Sequence, residues 1–247
     1  MLFLDGDDRM APGLLGGLRR ALAEEPGFDW YIGRYLRLLP EGCLEPHAGL
    51  VFAPGAAEGD FAARLSALYA AGHWSVWKYC LRRAFLQERG LQFREDVRWA
   101  EDVGFDLELL AAGARMNFID LIFTHYRENR AGSLLNDAKN LPRRFTAIAA
   151  TWRHVEAMRE TGALDAAAFA AARDAVADVF WPQARTAAVP DQALRAACLP
   201  GLRALRGLYP YGKEVREQRS WRAYQLLRTV GPKFATWAAS LGKGKAR

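Results

Sequence analysis

Cysteine is scarce in this 247-residue chain: Cys43, Cys80 and Cys198 are odd in number and far apart. That excludes a disulfide framework and a cysteine-built zinc site, and it fits a reducing compartment. No apolar run approaches the roughly 18 residues that span a bilayer. No basic segment precedes an apolar one at the N-terminus, so no signal peptide is expected. The expectation is a cytoplasmic protein. Internal repeats are absent. Acids are scarce at the C-terminal end, where residues 203–247 carry eleven Lys or Arg and only Glu214 and Glu217, a charge of +9. The whole chain is +6, which leaves −3 on the preceding 202 residues. The tail therefore looks for an anionic partner. No nucleic-acid-binding motif accompanies these basic residues, which argues against nucleic acid.

With 51% hydrophobic and 25% charged residues, the chain is long enough for a substantial core. Leu2 to Leu4 reads as a strand buried on both faces, ending in Asp5-Gly-Asp-Asp8. A helix is predicted over Pro12–Leu22, with Leu14, Leu15, Leu18 and Leu22 as its apolar face. Phe28–Leu39 reads as a strand, Pro40–Gly42 as a turn, and Leu50–Phe52 as the returning strand. Helices follow at Gly59–Ala71, with Phe61, Leu65 and Leu68 on one stripe, and at Arg82–Arg89, stopped by Gly90. A further helix opens at Glu101-Asp102 and runs to Gly113. Met116–Tyr126 is a predicted strand, and 127–133 a polar loop. Beyond 134 only helical patterns appear, over about 136–160, 165–180, 191–206 and 213–241, punctuated by Pro182, Pro190, Pro200 and Pro210. The picture is an α/β part over 1–134 and a helical part over 135–247.

Four clusters carry candidate chemistry, and each has a plain structural alternative. Asp5, Asp7 and Asp8 sit at the carboxyl end of a strand, where open α/β sheets bind ligands. Alternate residues of an extended chain share a side, so Asp5 and Asp7 suit a hard divalent ion completed by phosphate and water. The alternative is an acidic turn. Glu101-Asp102, beside Trp99, fits a general base or acids that favour a helix start. Trp77-Lys78 with Arg82 and Arg83 fits a diphosphate partner or a solvated helix start. His125-Tyr-Arg127 with Arg130-Ala-Gly-Ser133 adds a further candidate ligand, and a lone His after a strand is also ordinary hydrogen-bonded structure.

The order of these strings resembles the family 2 glycosyltransferases. Phe3-Leu-Asp-Gly-Asp-Asp8, then Val76-Trp-Lys78, then Trp99-Ala-Glu-Asp102, then Tyr126-Arg-Glu-Asn-Arg-Ala-Gly-Ser133 follow that family's metal motif, its "VWNKLYRREFL" segment, its "ED" pair and its "YR.R.GS" segment. The resemblance covers about residues 1–134. It implies the C-terminal part of a GT-A domain followed by a helical extension, and an inverting, metal-dependent transfer from a nucleotide sugar to a glycan or lipid-linked acceptor, in cell-surface polysaccharide synthesis.

By resemblance, Asp5 and Asp7 hold Mg²⁺ or Mn²⁺ on the donor diphosphate, with Asp8 supporting and His125 as a further ligand. Asp102 is the base, Glu101, Trp99 and Trp77 shape the acceptor side, and Lys78, Arg127 and Arg130 touch phosphates or acceptor. The family's metal motif is preceded by a "P.YN" strand and by acids that grip the nucleoside, and neither is found here. A misassigned start, a degraded gene or a partner chain would each account for this, and each predicts poor nucleotide-sugar binding by these 247 residues alone. A non-catalytic interaction module that kept the fold is the alternative function.

In the tail, Trp221, Tyr224, Leu227, Val230, Phe234, Trp237 and Leu241 form one helical face, with Arg219, Arg222, Arg228 and Lys233 mostly off it. Such a stripe lies in an anionic membrane surface, here the inner face of the cytoplasmic membrane, or packs on the preceding helices.

Overall fold

A strand of mixed aromatic and aliphatic residues, Trp30–Leu38, is the centre of the sheet because it is paired on both edges and its first four residues are buried. The computed structural model describes residues 1–46, 52–71, 75–127, 138–186, 192–208 and 211. It divides into two units, one of Met1–Phe93 with Phe105–Ser133, the other of Arg94–Gly104 with Leu134–Arg247.

The first unit is a six-stranded sheet with helices. Its strands are β1 (Arg9–Met10), β2 (Trp30–Leu38), β3 (Leu44–Pro46), β4 (Gly55–Ala57), β5 (Tyr79–Leu81) and β6 (Met116–Arg127). The long strands β2 and β6 run parallel, so both carboxyl ends lie at one margin, where Leu38 pairs with Arg127. On its other edge β2 pairs antiparallel with β3 and β5. The outer edge of β6 takes β4 near its start and β1 near its end. The register between β2 and β6 slips around Arg34, so β6 carries extra residues there. Gly33 lies opposite that irregularity. A Cβ on it would fall 2.1 Å from Phe123 Cδ1 and 2.7 Å from the Leu121 carbonyl oxygen.

Helices α1 (Leu14–Glu24), α2 (Phe61–Ala70) and α3 (Arg83–Arg89) follow from local signals. Asp60 caps α2 by accepting from the Ala63 N–H at 2.9 Å, and the predicted stripe Phe61, Leu65, Leu68 is buried. Gly90, in the left-handed region at φ 65°, ends α3. Helix α4 (Glu101–Ala111) begins in the second unit and continues into the first. Arg64 on α2 donates to the carbonyls of Leu110 and Ala114, satisfying groups that a helix end leaves unpaired. Asp29 is 6% exposed; it accepts from Arg82 and from the Arg115 N–H, tying the entries of β2 and β6 to the exit of β5. Arg82 is thus a structural partner of Asp29.

The second unit holds α5 (Leu141–Glu160), α6 (Ala166–Thr186) and α7 (Gln192–Ala204). Phe145 meets Phe180 at 6.0 Å and Trp152 meets Phe169 at 5.7 Å between ring centroids. Gly201 lets α7 approach α5, since a Cβ there would lie 2.4 Å from Phe145 Cβ.

Several expectations are corrected. Leu2–Leu4 is not a strand buried on both faces: Leu2 makes one isolated bridge to Cys80, and Leu4 is 47% exposed. Helix α1 starts at Leu14 after a left-handed Gly13, leaving Pro12 outside, and its buried face is Leu14, Gly17 and Leu18, while Leu15 and Leu22 are exposed. The hairpin partner of β2 is Leu44–Pro46; Leu50 and Val51 lie outside the described residues, and Phe52 is not in a strand. Pro182 and Pro200 lie inside α6 and α7 and do not end them, because buried neighbours such as Phe180, Trp181 and Cys198 hold those turns despite the lost N–H. No helix among the described residues is long and apolar enough to cross a membrane.

Candidate active site

The carboxyl ends of β2 and β6 carry the acidic turn. The Asp8 N–H donates to the Asp5 carbonyl at 3.1 Å, closing the turn. Arg127, the last residue of β6, then clamps it from 119 residues away. Its N–H donates to Asp8 Oδ1 at 2.8 Å, and its Nε to the Asp7 carbonyl at 3.0 Å. Pairing of Arg9 with His125 and of Met10 with Thr124 continues the clamp into β1. The structure therefore brings Asp5, Asp7, Asp8 and Arg127 to the margin where open α/β sheets bind ligands.

Asp8 Oδ2 is buried and has no hydrogen-bond partner among the described residues. Burial pushes the Asp8 carboxyl up to about 6; the Arg127 N–H opposes this, and the Asp5 and Asp7 charges add to it. A carboxylate held in such a negative field is one that a cation relieves. Among the described residues, no three His, Cys, Asp or Glu side chains converge as a metal site. The set Asp5, Asp7, Asp8 and His125 is thus not a preformed centre, and His125 is not gathered into one. The fit that remains is a divalent ion on one or two carboxylates, its other positions filled by phosphate oxygens and water.

The sign of the Asp8 effect is fixed by that shift. A carboxyl raised on folding stabilises the fold while protonated, below its ordinary value of 3.8, and this contribution is lost as pH rises through about 6. Thermal unfolding of the wild type is therefore expected to fall from pH 4 to pH 7 relative to Asp8→Asn, which keeps an acceptor for the Arg127 N–H. Added Mn²⁺ raises the wild-type midpoint above pH 6 and much less at pH 5. Identical pH slopes for the two proteins would show that Asp8 is not the titrating group.

The second cluster opens α4. Ala100 enters the helix with φ 51°, a left-handed conformation that costs a non-glycine residue roughly 1–2 kcal/mol. Glu101 is exposed and Asp102 half-buried. The Val103 N–H donates to Asp102 Oδ1 at 3.0 Å, so this carboxylate also serves the helix start. Trp99 packs on Val97, Ala147 and Ala150, with the Arg144 guanidinium 5.6 Å from its ring centroid.

Two candidates fall away. Lys78 is fully buried, its Nζ 3.4 Å from the Ala71 carbonyl, so it does not face a phosphate. Trp77 is 9% exposed, stacked on Tyr126 at 5.0 Å and edge-on to Tyr35, with its carbonyl bonded by Thr124; it is core and does not line an acceptor surface. Arg130 and the tail helix 213–241 lie outside the described residues. Sequence reading passed over Tyr79 and Asp106, whose side chains meet at 2.8 Å. The only signal was a lone acid in the run Val-Gly-Phe-Asp-Leu.

No family model matches the chain. A stretch of 56 residues is 39% identical to the uncharacterized glycosyltransferase EpsJ of Bacillus subtilis, covering 23% of this chain and 16% of that protein. Over that stretch the sequence is homologous to a glycosyltransferase. The fold is shared with S. aureus TarS 1-349 in complex with UDP-GlcNAc, at TM-score 0.67 and 14% identity, over 98% of this chain and 67% of TarS 1-349. The same fragment in complex with UDP aligns at TM-score 0.61 and 13% identity, over 98% of this chain and 66% of that one. The chain spans a small part of EpsJ and about two thirds of TarS 1-349.

Proposed function

We propose that this chain is the catalytic part of a GT-A, family 2-type glycosyltransferase, which transfers a sugar from a nucleotide-sugar donor to a glycan or lipid-linked acceptor with inversion. What carries the reading is the acidic turn clamped by Arg127 at the carboxyl ends of the β2–β6 pair. The fold shared with a UDP-GlcNAc complex and the short homology to EpsJ support it.

Asp102 takes the proton from an acceptor hydroxyl. That oxygen bonds to the anomeric carbon as the bond from carbon to the phosphate oxygen breaks and the nucleoside diphosphate leaves. Glu101 and Trp99 border the acceptor. Arg127 has its Nε and N–H committed to the turn and keeps the aspartates presented. Asp7 and Asp5, with Asp8 supporting, would hold Mg²⁺ or Mn²⁺, which would supply charge to offset the departing diphosphate.

The test is UDP release from UDP-GlcNAc, and diphosphate release from a panel of other nucleotide sugars, with Mn²⁺ or EDTA, for wild type and Asp7→Asn. Release that needs both Mn²⁺ and Asp7 supports the reading. Release is expected to be slow, given the poor nucleotide-sugar binding expected of these 247 residues alone; release indifferent to both Mn²⁺ and Asp7 leaves the interaction-module reading in its place.

A further inference from the structure

We infer that Tyr79 and Asp106 are positioning residues for Asp102: a buried hydrogen bond between them fixes the roll of α4, the helix whose first turn carries the proposed base. The inference rests on the transferase reading above.

Asp106 is 0% exposed, in a stretch of α4 whose neighbours Phe105, Leu107, Leu109 and Leu110 are apolar and buried. A carboxylate is among the groups least often buried completely, and it is tolerated there only where hydrogen-bond or charge partners satisfy it. The Tyr79 hydroxyl donates to Asp106 Oδ2 at 2.8 Å. Tyr79 is itself 0% exposed, sits on β5, and has the Trp30 ring edge-on at 4.9 Å. The Ser75 N–H reaches its oxygen at 3.4 Å. The donor is therefore rigidly placed.

Among the other anchors of this stretch are rings and, at its far end, the Arg64 guanidinium on the Leu110 carbonyl. Phe105 stacks on Phe93 at 4.4 Å, and Phe3 meets Phe93 edge-on at 5.4 Å. Such apolar contacts are non-directional and allow a helix to turn about its axis, whereas a short hydrogen bond does not. Asp102 precedes Asp106 by four residues, so the two lie on one face, one turn apart. A roll at Asp106 reaches Asp102 through the single turn of helix that joins them. Misplacement of a catalytic group by about 1 Å costs up to about a hundredfold in rate.

The experiment compares wild type, Tyr79→Phe, Asp102→Asn and the double variant, measuring donor turnover and amide hydrogen exchange across α4. Tyr79→Phe keeps the ring and its packing. The expected result is a kcat about tenfold lower with KM little changed, faster exchange in the first turn of α4, and no further loss when Tyr79→Phe is added to Asp102→Asn. Asp106→Asn is the second variant and is expected to show the same kcat-only loss. Equal losses from Tyr79→Phe with and without Asp102, or wild-type kcat and exchange in both single variants, would overturn the inference while the transferase reading stands. An Asp102→Asn protein as active as wild type would instead remove the transferase reading, and this inference with it.

Discussion

Asp102→Asn lowers sugar transfer by about a thousandfold, within the range general-base catalysis supplies, and leaves donor affinity and the folded state nearly unchanged. The substitution separates the helix-start contact seen in the structure from the proposed role as base. Asp102 Oδ1 accepts the Val103 N–H at 3.0 Å, and an asparagine oxygen does the same. The charge is also favourable beside the helix N-terminus, but that interaction is worth only about 0.3–1 kcal/mol at an exposed site. On the proposed mechanism, by contrast, the substitution removes the proton acceptor from the transfer step. Glu101 is exposed next to it, and Glu101→Gln is expected to change turnover little. Steady-state kinetics with a thermal midpoint for each variant checks both. Equal turnover for Asp102→Asn and wild type would mean that this residue only starts a helix.

Gly33→Ala is expected to destabilise the protein by about 3 kcal/mol or more, at or beyond the usual upper end of the cost of overpacking a core. The new Cβ meets Phe123, which is 0% exposed, at 2.1 Å and the Leu121 backbone oxygen at 2.7 Å. A flexible side-chain tip yields cheaply, but a buried ring and a backbone oxygen in a bulged, paired strand do not. Two relaxations are open: β6 shifts away from β2, or Phe123 leaves its rotamer. Shifting β6 also moves Thr124 to Arg127, the segment that holds Asp8. Urea denaturation should show a lower midpoint with an unchanged slope. Adding Phe123→Leu, which vacates the volume of the ring, should recover part of the loss; strict additivity of the two changes would mean they do not interact. A midpoint like that of wild type for Gly33→Ala would show that the close approach of β6 at Gly33 is wrong.

The two largest effects differ in legibility. Asp102 is found from an acid pair beside Trp99 at the start of an apolar helical period, a wholly local pattern. Gly33 reads as one more glycine in an apolar strand, because the residues that crowd it lie about ninety positions away on β6. The same contrast divides the site. The acids of the turn are visible as a string, but the residue that clamps them is 119 positions distant. Trp77-Lys78 reads as a solvated or ligand-facing pair because Lys78 is followed closely by the cations Arg82 and Arg83. The stack on Tyr126 and the burial of Lys78 reverse that.

From sequence alone came the elements whose periodicity and stops are internal to them: β2, α2 with its three-residue stripe, α3 with Gly90, α4 from the acid pair, and β6. Also determined there was the chemistry on offer, a carboxylate turn and a carboxylate helix start. Only the tertiary structure decided that Leu2–Leu4 stays largely unpaired, that prolines 182 and 200 are absorbed into helices, that Lys78 and Trp77 are core, and that Asp8, raised to about 6, is held by Arg127. The reason is range. A cap or a helical stripe is satisfied within a few residues of chain, whereas burial, desolvation and a hydrogen bond across the sheet depend on neighbours that only folding brings near.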